Sequence, residues 1–420
     1  MIERLRSRLE ALFPPDSLTQ TSVNTGVYVF VGLLLFVTVV LVPFAGLFDL
    51  PETIDQGDTV KGKIERLVQE TTEQTPFGTE RTQTFDVRLG DDVRQISYRE
   101  TVGGSYNLGL EAGDEVLVTV GEGPQGTTYF IADRVRDSSL WLFGLLFAGI
   151  VIVVGRFQGF TSLLGMAASL LVILRFIIPG IASGADPVTI SLIGAAVILA
   201  TSLFLSHGVN GKTLTALAGT TASLVVTAIL ASLAIDMAHL SGLGDEDSRT
   251  LRILTQGAIS SEGLLLSAII IGSLGVLDDV CVAQSSAVFE LRAANPLLSA
   301  RDLFSRAMNI GRDHIASTVN TLFLAYTGSA LPLLVILSLQ TEPLGTLVNR
   351  EFLSTEILRT LVGSIGIVAS VPVTTALAAF VSRSLVGGTG APRHPIRSPL
   401  SSQGEGVGGE VTPHTPHGRH

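Results

Sequence analysis

The sequence predicts an α-helical polytopic membrane protein of about eight transmembrane helices, with a small antiparallel β domain outside the cytoplasm between helices 1 and 2. Three observations carry this. Only 15% of the 420 residues are charged against 46% hydrophobic, and mean hydropathy is +0.50. The apolar residues are gathered into long runs rather than spread at the spacing of an amphipathic helix. One stretch, after the first run, instead alternates polar with apolar residues.

Residues 1–26 carry Arg4, Arg6 and Arg8 and are expected to be a cytoplasmic segment. The following run, 27–48, exceeds the ~7–15 residues of a secretory signal core and reads as an uncleaved signal anchor, transmembrane helix 1. Residues 49–139 are the expected extracytoplasmic domain. Its alternating segments 59–64, 84–89, 94–98 and 115–120 are marked off by the turn signals Gly57-Asp58, Gly90-Asp91, Gly103-Gly104 and Gly113-Asp114. Five or so short strands suit an OB-like or other small barrel.

A hydrocarbon core of ~30 Å takes roughly 20 helical residues at ~1.5 Å each. Runs that meet or approach this length lie at 140–155, 160–178, 188–206, 213–235, 263–283, 315–339 and 357–382, giving a seven-helix membrane domain over 140–382. Beyond it, 383–420 is rich in Gly, Ser, Pro and His and has too little apolar surface to offset ordering entropy. It reads as a disordered cytoplasmic tail, with His414, His417 and His420 solvated rather than metal-bound.

Orientation follows from Lys and Arg in the short loops. Arg4, Arg6, Arg8, Arg156, Lys212, Arg292, Arg301, Arg306, Arg312, Arg383, Arg393 and Arg397 fall on one side, against mainly Arg249, Arg252, Arg350 and Arg359 on the other. Both termini are therefore expected in the cytoplasm, and the protein in the cell (plasma) membrane. Trp141, with Tyr129 and Phe130 before it, stands where an outer-interface aromatic anchor belongs. The net charge of −10 argues against nucleic-acid binding, and the single cysteine, Cys281, offers neither a disulfide nor zinc-ligand spacing. Expected partners are the lipid bilayer and an envelope protein docking on the β domain, with room for a homo-oligomer; no cofactor or metal is expected.

The stretch 263–290 is the most informative. The apolar run before Asp278 covers only about 22 Å at ~1.5 Å per residue, so the span should continue past Asp278 and Asp279 and hold the pair at or inside the inner leaflet. A carboxylate there costs ~2.5–3.5 kcal/mol on insertion scales and usually faces a polar cavity. Neighbouring residues lie about 100° apart on a helix, so at least one should face the bundle interior. A desolvated carboxylate in a cavity is what a proton relay requires; the competing reading is a helix end with both carboxylates in water. Gln284 follows two turns later on the same helix.

Ser299-Ala-Arg-Asp302 has capping-box spacing and should start a helix. Phe304, Met308, Gly311 and Ile315 then form an apolar stripe, predicting a cytoplasmic amphipathic connector around 299–314 that leads into the next span. Polar groups enter the bilayer along it: Asp313 and His314, then Ser317, Asn320 and Thr327 on one flank, with Thr318 and Thr321 beside His314 on the other. Asp313, His314 and Asn320 are candidate partners of the aspartates. Gln284, Ser317, Thr318 and Thr321 are secondary candidates, with interhelical hydrogen bonding as the alternative reading for the hydroxyls.

Weaker signals remain. His207-Gly-Val-Asn210-Gly-Lys212 resembles a fragment of a phosphate loop but lacks its full spacing and reads as a tight cytoplasmic turn. Asp236 and His239, with Asp245, Glu246 and Asp247 nearby, have the chemistry for a divalent ion, although a solvated loop accounts for them as well. Ala218/Ala222 and Gly219/Ser223 suit close helix packing, and Pro332 and Pro372 are positioned to kink their helices. No nucleophile elbow, dinucleotide loop or zinc-protease motif is present, which disfavours an enzyme.

Three motifs resemble the YibE/F family of multi-span membrane proteins: Gly-Val-Leu-Asp-Asp-Val at 275–280, the run 309–321, and Ala-Tyr-Thr-Gly-Ser-Ala-Leu-Pro-Leu-Leu at 325–334. The turn 207–212 also looks like the family's. The resemblance implies a membrane protein of poorly defined function and carries over no substrate or catalytic residue. At the level of pattern, an Asp pair in one span, an amphipathic connector and a Ser/Thr-rich span also resemble half of a resistance-nodulation-division transporter or the SecDF export factor, in which intramembrane carboxylates carry protons. The expectation is thus a transporter or export-associated protein, proton-coupled through Asp278 or Asp279. The alternative is a non-transporting assembly or sensing protein whose β domain binds an envelope partner.

Overall fold

A computed structural model describes residues 58–75, 78–102, 107–123 and 126–386. The expected first span, N-terminal segment and tail beyond 386 lie outside these residues.

The alternating stretch forms five antiparallel strands: β1 Asp58–Thr75, β2 Gly78–Leu89, β3 Asp92–Thr101, β4 Glu115–Gly123 and β5 Gly126–Arg134, in sheet order β3-β2-β1-β4-β5. Period-two alternation turns Ile64, Phe85, Val87, Ile96, Val116, Val118 and Ile131 to one buried face, where they form a single core. β1 is shared by two partners, pairing with β2 through its second half and with β4 through its first. The sheet curls so that the outer strands β3 and β5 approach each other. Tyr129 and Phe130, expected as part of an interfacial anchor, belong to β5, and only Trp141 lies on the following helix.

The helical part comprises α1 Asp137–Val172, a π-helical turn Ile173–Ile177, α2 Ile178–Ala182, α3 Pro187–His207, α4 Gly211–Met237, α5 Glu246–Leu254, α6 Ser261–Ala294, α7 Ala300–Ser329, α8 Leu331–Ser338, α9 Leu344–Leu347 and α10 Glu351–Val386. Among the described residues five helical segments are long and apolar enough to cross a membrane: Asp137–Ala182, Pro187–His207, Gly211–Met237, Ser261–Ala294 and Glu351–Ser382. The pair α7 and α8 passes the same test only together, bent by 65°. The sequence predicts one span over 315–339; the structure breaks it at Ala330, just before Pro332, whose ring cannot continue the upstream hydrogen-bond ladder.

The expected boundary between 140–155 and 160–178 appears as a break inside α1. Arg156 leaves the helix (φ 51°, ψ −130°), and the chain bends so sharply that Gly159 packs onto the carbonyl of Val151. Before the break Leu140, Trp141, Phe143, Val153 and Val154 are all exposed. Such an uncovered apolar surface is disfavoured in water and compatible with lipid.

Helix starts follow the caps written in the sequence. Asp186 accepts the Thr189 N–H at 2.8 Å ahead of Pro187, and Asn210 accepts that of Thr213 at 2.9 Å. Ser299 and Asp302 complete a capping box, so the amphipathic connector and the polar-entry segment are one continuous helix, α7. α4, α6 and α10 pack against one another at the centre, with α7 on α6 and α10, and α3 between α6 and α1. Small residues set the closeness of this packing: the Thr374 side chain of α10 lies over Gly219 of α4, and Thr227 of α4 lies over Gly366 of α10.

Candidate functional site

Helix α6 carries Asp278 and Asp279 unbroken through the bundle, and its register separates them. Asp278 is half-buried; its Oδ1 is fully inaccessible and has no hydrogen-bond partner among the described residues. Asp279, about 100° further round, is exposed on the bundle flank and lies within electrostatic range of His207 at the end of α3 and His314 on α7. The two carboxylates therefore sit in different environments: one against packed helices, the other exposed and within electrostatic range of two imidazoles.

Cys281, one turn beyond Asp278, is fully buried and accepts a hydrogen bond from Thr374 Oγ1 at 3.1 Å. Gln284 follows, 3% exposed, donating from Nε2 to Thr375 Oγ1 at 2.7 Å and to the Ala307 carbonyl at 2.9 Å, so one amide joins α6, α7 and α10. Gly311 packs directly on this amide. Further along, Ser285 donates to the Lys212 carbonyl at 2.8 Å and Lys212 Nζ reaches Glu290 at 3.1 Å, fastening the 207–212 turn to the end of α6. Asn210 makes that turn by donating to the His207 carbonyl at 2.9 Å, with Gly208 at φ 71° supplying the left-handed residue.

Most hydroxyls of the bundle are occupied locally. Thr220, Ser223 and Thr227 of α4 and Thr375 of α10 each donate to the carbonyl four residues earlier, at 2.6–3.0 Å. They satisfy their own polarity and leave Asp278 as the carboxylate of the interior without a donor. On α7 the predicted residues separate by face. Thr318 is half-buried; Asp313, His314, Ser317, Asn320 and Thr321 are exposed, Thr321 donating to the Ser317 carbonyl at 3.0 Å. Of this group His314 lies within electrostatic range of Asp279, and Gln284 lies in the interior.

Sequence reasoning assigned His207 only to a turn and left Cys281 without a role. The signal for His207 was its position one residue before Gly208 at the end of a long apolar run, the same level that the span arithmetic gives the aspartates. Asp236 and His239 line an open cavity of about 230 Å³ with Glu262, yet no three His, Cys, Asp or Glu side chains among the described residues converge to hold a metal ion.

No curated protein and no solved structure matches the chain. Residues 143–384, which contain the broken α1, the Asp278–Asp279 pair, the capped α7 and the kinked pair α7–α8, match the family described as YibE/F-like protein. That match spans more than half of the sequence and takes in every helix that builds the bundle, and the chain belongs to the YibE/F-like family.

Proposed function

We propose that this YibE/F-like chain is a proton-coupled transporter or export-associated protein in which Asp278 takes up and releases the coupling proton. The observation that carries this reading is the Asp278 carboxylate, with an inaccessible oxygen that has no donor among the described residues, in the middle of an apolar helix at the centre of the bundle. Such a group is costly in a bilayer, and carboxylates kept there mark ion or proton pathways. Asp279, with His207 and His314 in electrostatic range, forms the cytoplasmic exchange point through which protons reach or leave Asp278. Asp313 and Asn320 supply polar contacts along α7 as it moves.

In this reading the break at Arg156 divides α1 into two spans and the bent pair α7–α8 is a third. With 27–48 the chain then crosses the plasma membrane eight times, both termini are cytoplasmic, and the β domain stands outside. The strand order and the approach of β3 to β5 support an OB-like barrel for that domain. The protein is not an enzyme in this scheme.

The test is proton uptake in proteoliposomes under an imposed gradient. Asp278→Asn abolishes gradient-linked flux with insertion intact, and Asp279→Asn slows it; undiminished flux in both variants defeats the relay. A second reading, an assembly or sensing role through the β domain, is favoured by Phe130, 58% exposed on β5. A defined envelope protein crosslinked at position 130, together with unaltered function in both aspartate variants, would select it.

A further inference from the structure

Helix α7 lies at the edge of the bundle and packs on α6 and α10. Ala307, Gly311 and Leu322 are buried on the packed face. At about 100° per residue the opposite face carries Asn309, Asp313, Ala316, Asn320, Phe323 and Thr327. These six follow one another at four, three, four, three and four residues, the 3.5-residue repeat of a helix–helix seam. Thr327 is half-buried and the other five are exposed.

The chemistry of this face does not suit lipid. Together with α8, α7 is long and apolar enough to cross a membrane. At ~1.5 Å per residue, Asn320 lies about 9 Å and Thr327 about 20 Å beyond His314 along the helix, well past its cytoplasmic entry. Neither the Asn320 amide nor the Asp313 carboxylate makes a hydrogen bond or ion pair with another described residue. Polar groups on a spanning helix are costly against hydrocarbon and turn instead to protein or to a water-filled cavity. The rest of the chain's apolar stretches supply little to pair with them. Residues 27–48 offer only the Tyr28 and Thr38 hydroxyls and no charge, and 140–155 contains no Asn, Gln, Asp, Glu, Ser or Thr.

We propose that this face docks on a second copy of the chain, α7 against α7. Two copies inserted in the same sense are related by an axis along the membrane normal, so the paired helices run parallel and residues of equal number meet at equal depth. Asn320 then meets its own counterpart, and each amide gives an N–H to the carbonyl of the other. A polar Asn repeated at one seam position also fixes register and partner number. Ala316, one turn before it, is small enough to let the backbones approach, and Phe323, 54% exposed, fills the seam one turn beyond. Charge complementarity completes the match. Arg312 flanks Asp313 and both are exposed, so the two-fold sets each Arg312 beside the Asp313 of the other copy.

The interface is separate from the Asp278 relay, which uses His314 on the adjacent flank of α7, and its test needs no gradient. Full-length protein carrying Ala316→Cys or Asn320→Cys is oxidised with copper phenanthroline in proteoliposomes. The native Cys281 is fully buried, and Ile229→Cys on α4, 56% exposed, serves as the lipid-facing control. The expected result is a disulfide-linked dimer from both α7 variants, at least fivefold above the control. Single-molecule photobleaching in the same vesicles reads the dimer without cysteine chemistry. Asn320→Leu should raise its dissociation constant at least tenfold, whereas Asn320→Gln, which keeps an amide, should stay within threefold of the parent. A parental chain that is monomeric at every protein-to-lipid ratio would mean that lipid or water covers the face, and overturns the proposal. So would a dimer that Asn320→Leu leaves unchanged, or a disulfide between Asn320→Cys and Thr38→Cys within one chain in place of the dimer.

Discussion

Gln284 and Thr375 are joined by a 2.7 Å hydrogen bond in the interior of the bundle, and the same Gln284 amide reaches the Ala307 carbonyl at 2.9 Å. One side chain thereby fixes α6 against both α7 and α10, and with it the register that turns Asp278 inward.

Removing that amide should loosen the helix packing. Interhelical hydrogen bonds in membrane proteins average ~0.6 kcal/mol and reach ~1.7, so Gln284→Leu, which loses two, should destabilise the bundle by roughly 1–3 kcal/mol. Unfolding in mixed micelles with increasing dodecyl sulfate measures it. A variant as stable as the parent would mean that the amide contributes nothing net.

The crossing of α4 and α10 depends on glycine under threonine. Gly219→Ala places a methyl group against the Thr374 side chain, whose β-branching limits its retreat, and overpacking of this kind costs about 1–3 kcal/mol. The double variant Gly219→Ala, Thr374→Ala should recover part of that loss. A double-mutant cycle on the melting free energies should show coupling of roughly 0.5–3 kcal/mol, and strict additivity would count against the contact.

Asp278 and Asp279 should differ in stability as well as in function. Asp278→Asn removes a carboxylate whose Oδ1 has no donor among the described residues and whose insertion costs ~2.5–3.5 kcal/mol at a helix centre, so the variant should melt at the parental temperature or above it. Asp279→Asn changes an exposed group and should leave melting nearly unaltered. A marked drop in melting temperature for Asp278→Asn would identify that carboxylate as a structural acceptor rather than a carrier.

The β domain should be acid-sensitive at one ion pair. Arg66 donates from Nε to Asp86 at 2.7 Å, and this hydrogen bond holds the Asp86 carboxyl below its ordinary value. A depressed folded-state pKa contributes stability that is fully present above the unfolded value, ~3.9, and is lost as pH falls through the folded one. Hydrogen exchange in β1 and β2 of the full-length protein should therefore accelerate below about pH 4, and Asp86→Asn should flatten that dependence. Equal pH profiles for parent and variant would remove Asp86 as the responsible group.

Much of the architecture was readable because it rests on local rules. Apolar runs fixed where the long helices lie, period-two alternation placed the sheet, and Ser299 announced a helix start that the structure confirms. Other features depended on contacts distant in sequence. β5 carries Tyr129 and Phe130, which by composition passed for an interfacial anchor, because pairing with β4 claims them. The short α5 was hidden in a charged loop whose Asp245 cap gave little apolar signal.

The candidate site divides in the same way. The Asp278–Asp279 pair follows from the sequence alone, since a helix that spans ~30 Å cannot end at the pair after the short apolar run that precedes it. Which of the two faces the interior does not follow, because one residue of register rotates a side chain by about 100° and the neighbouring helices α4, α7 and α10 set that register through packing. The same holds for His207. It is distant from Asp279 along the chain, and only the approach of α3 to α6 brings the two into electrostatic range.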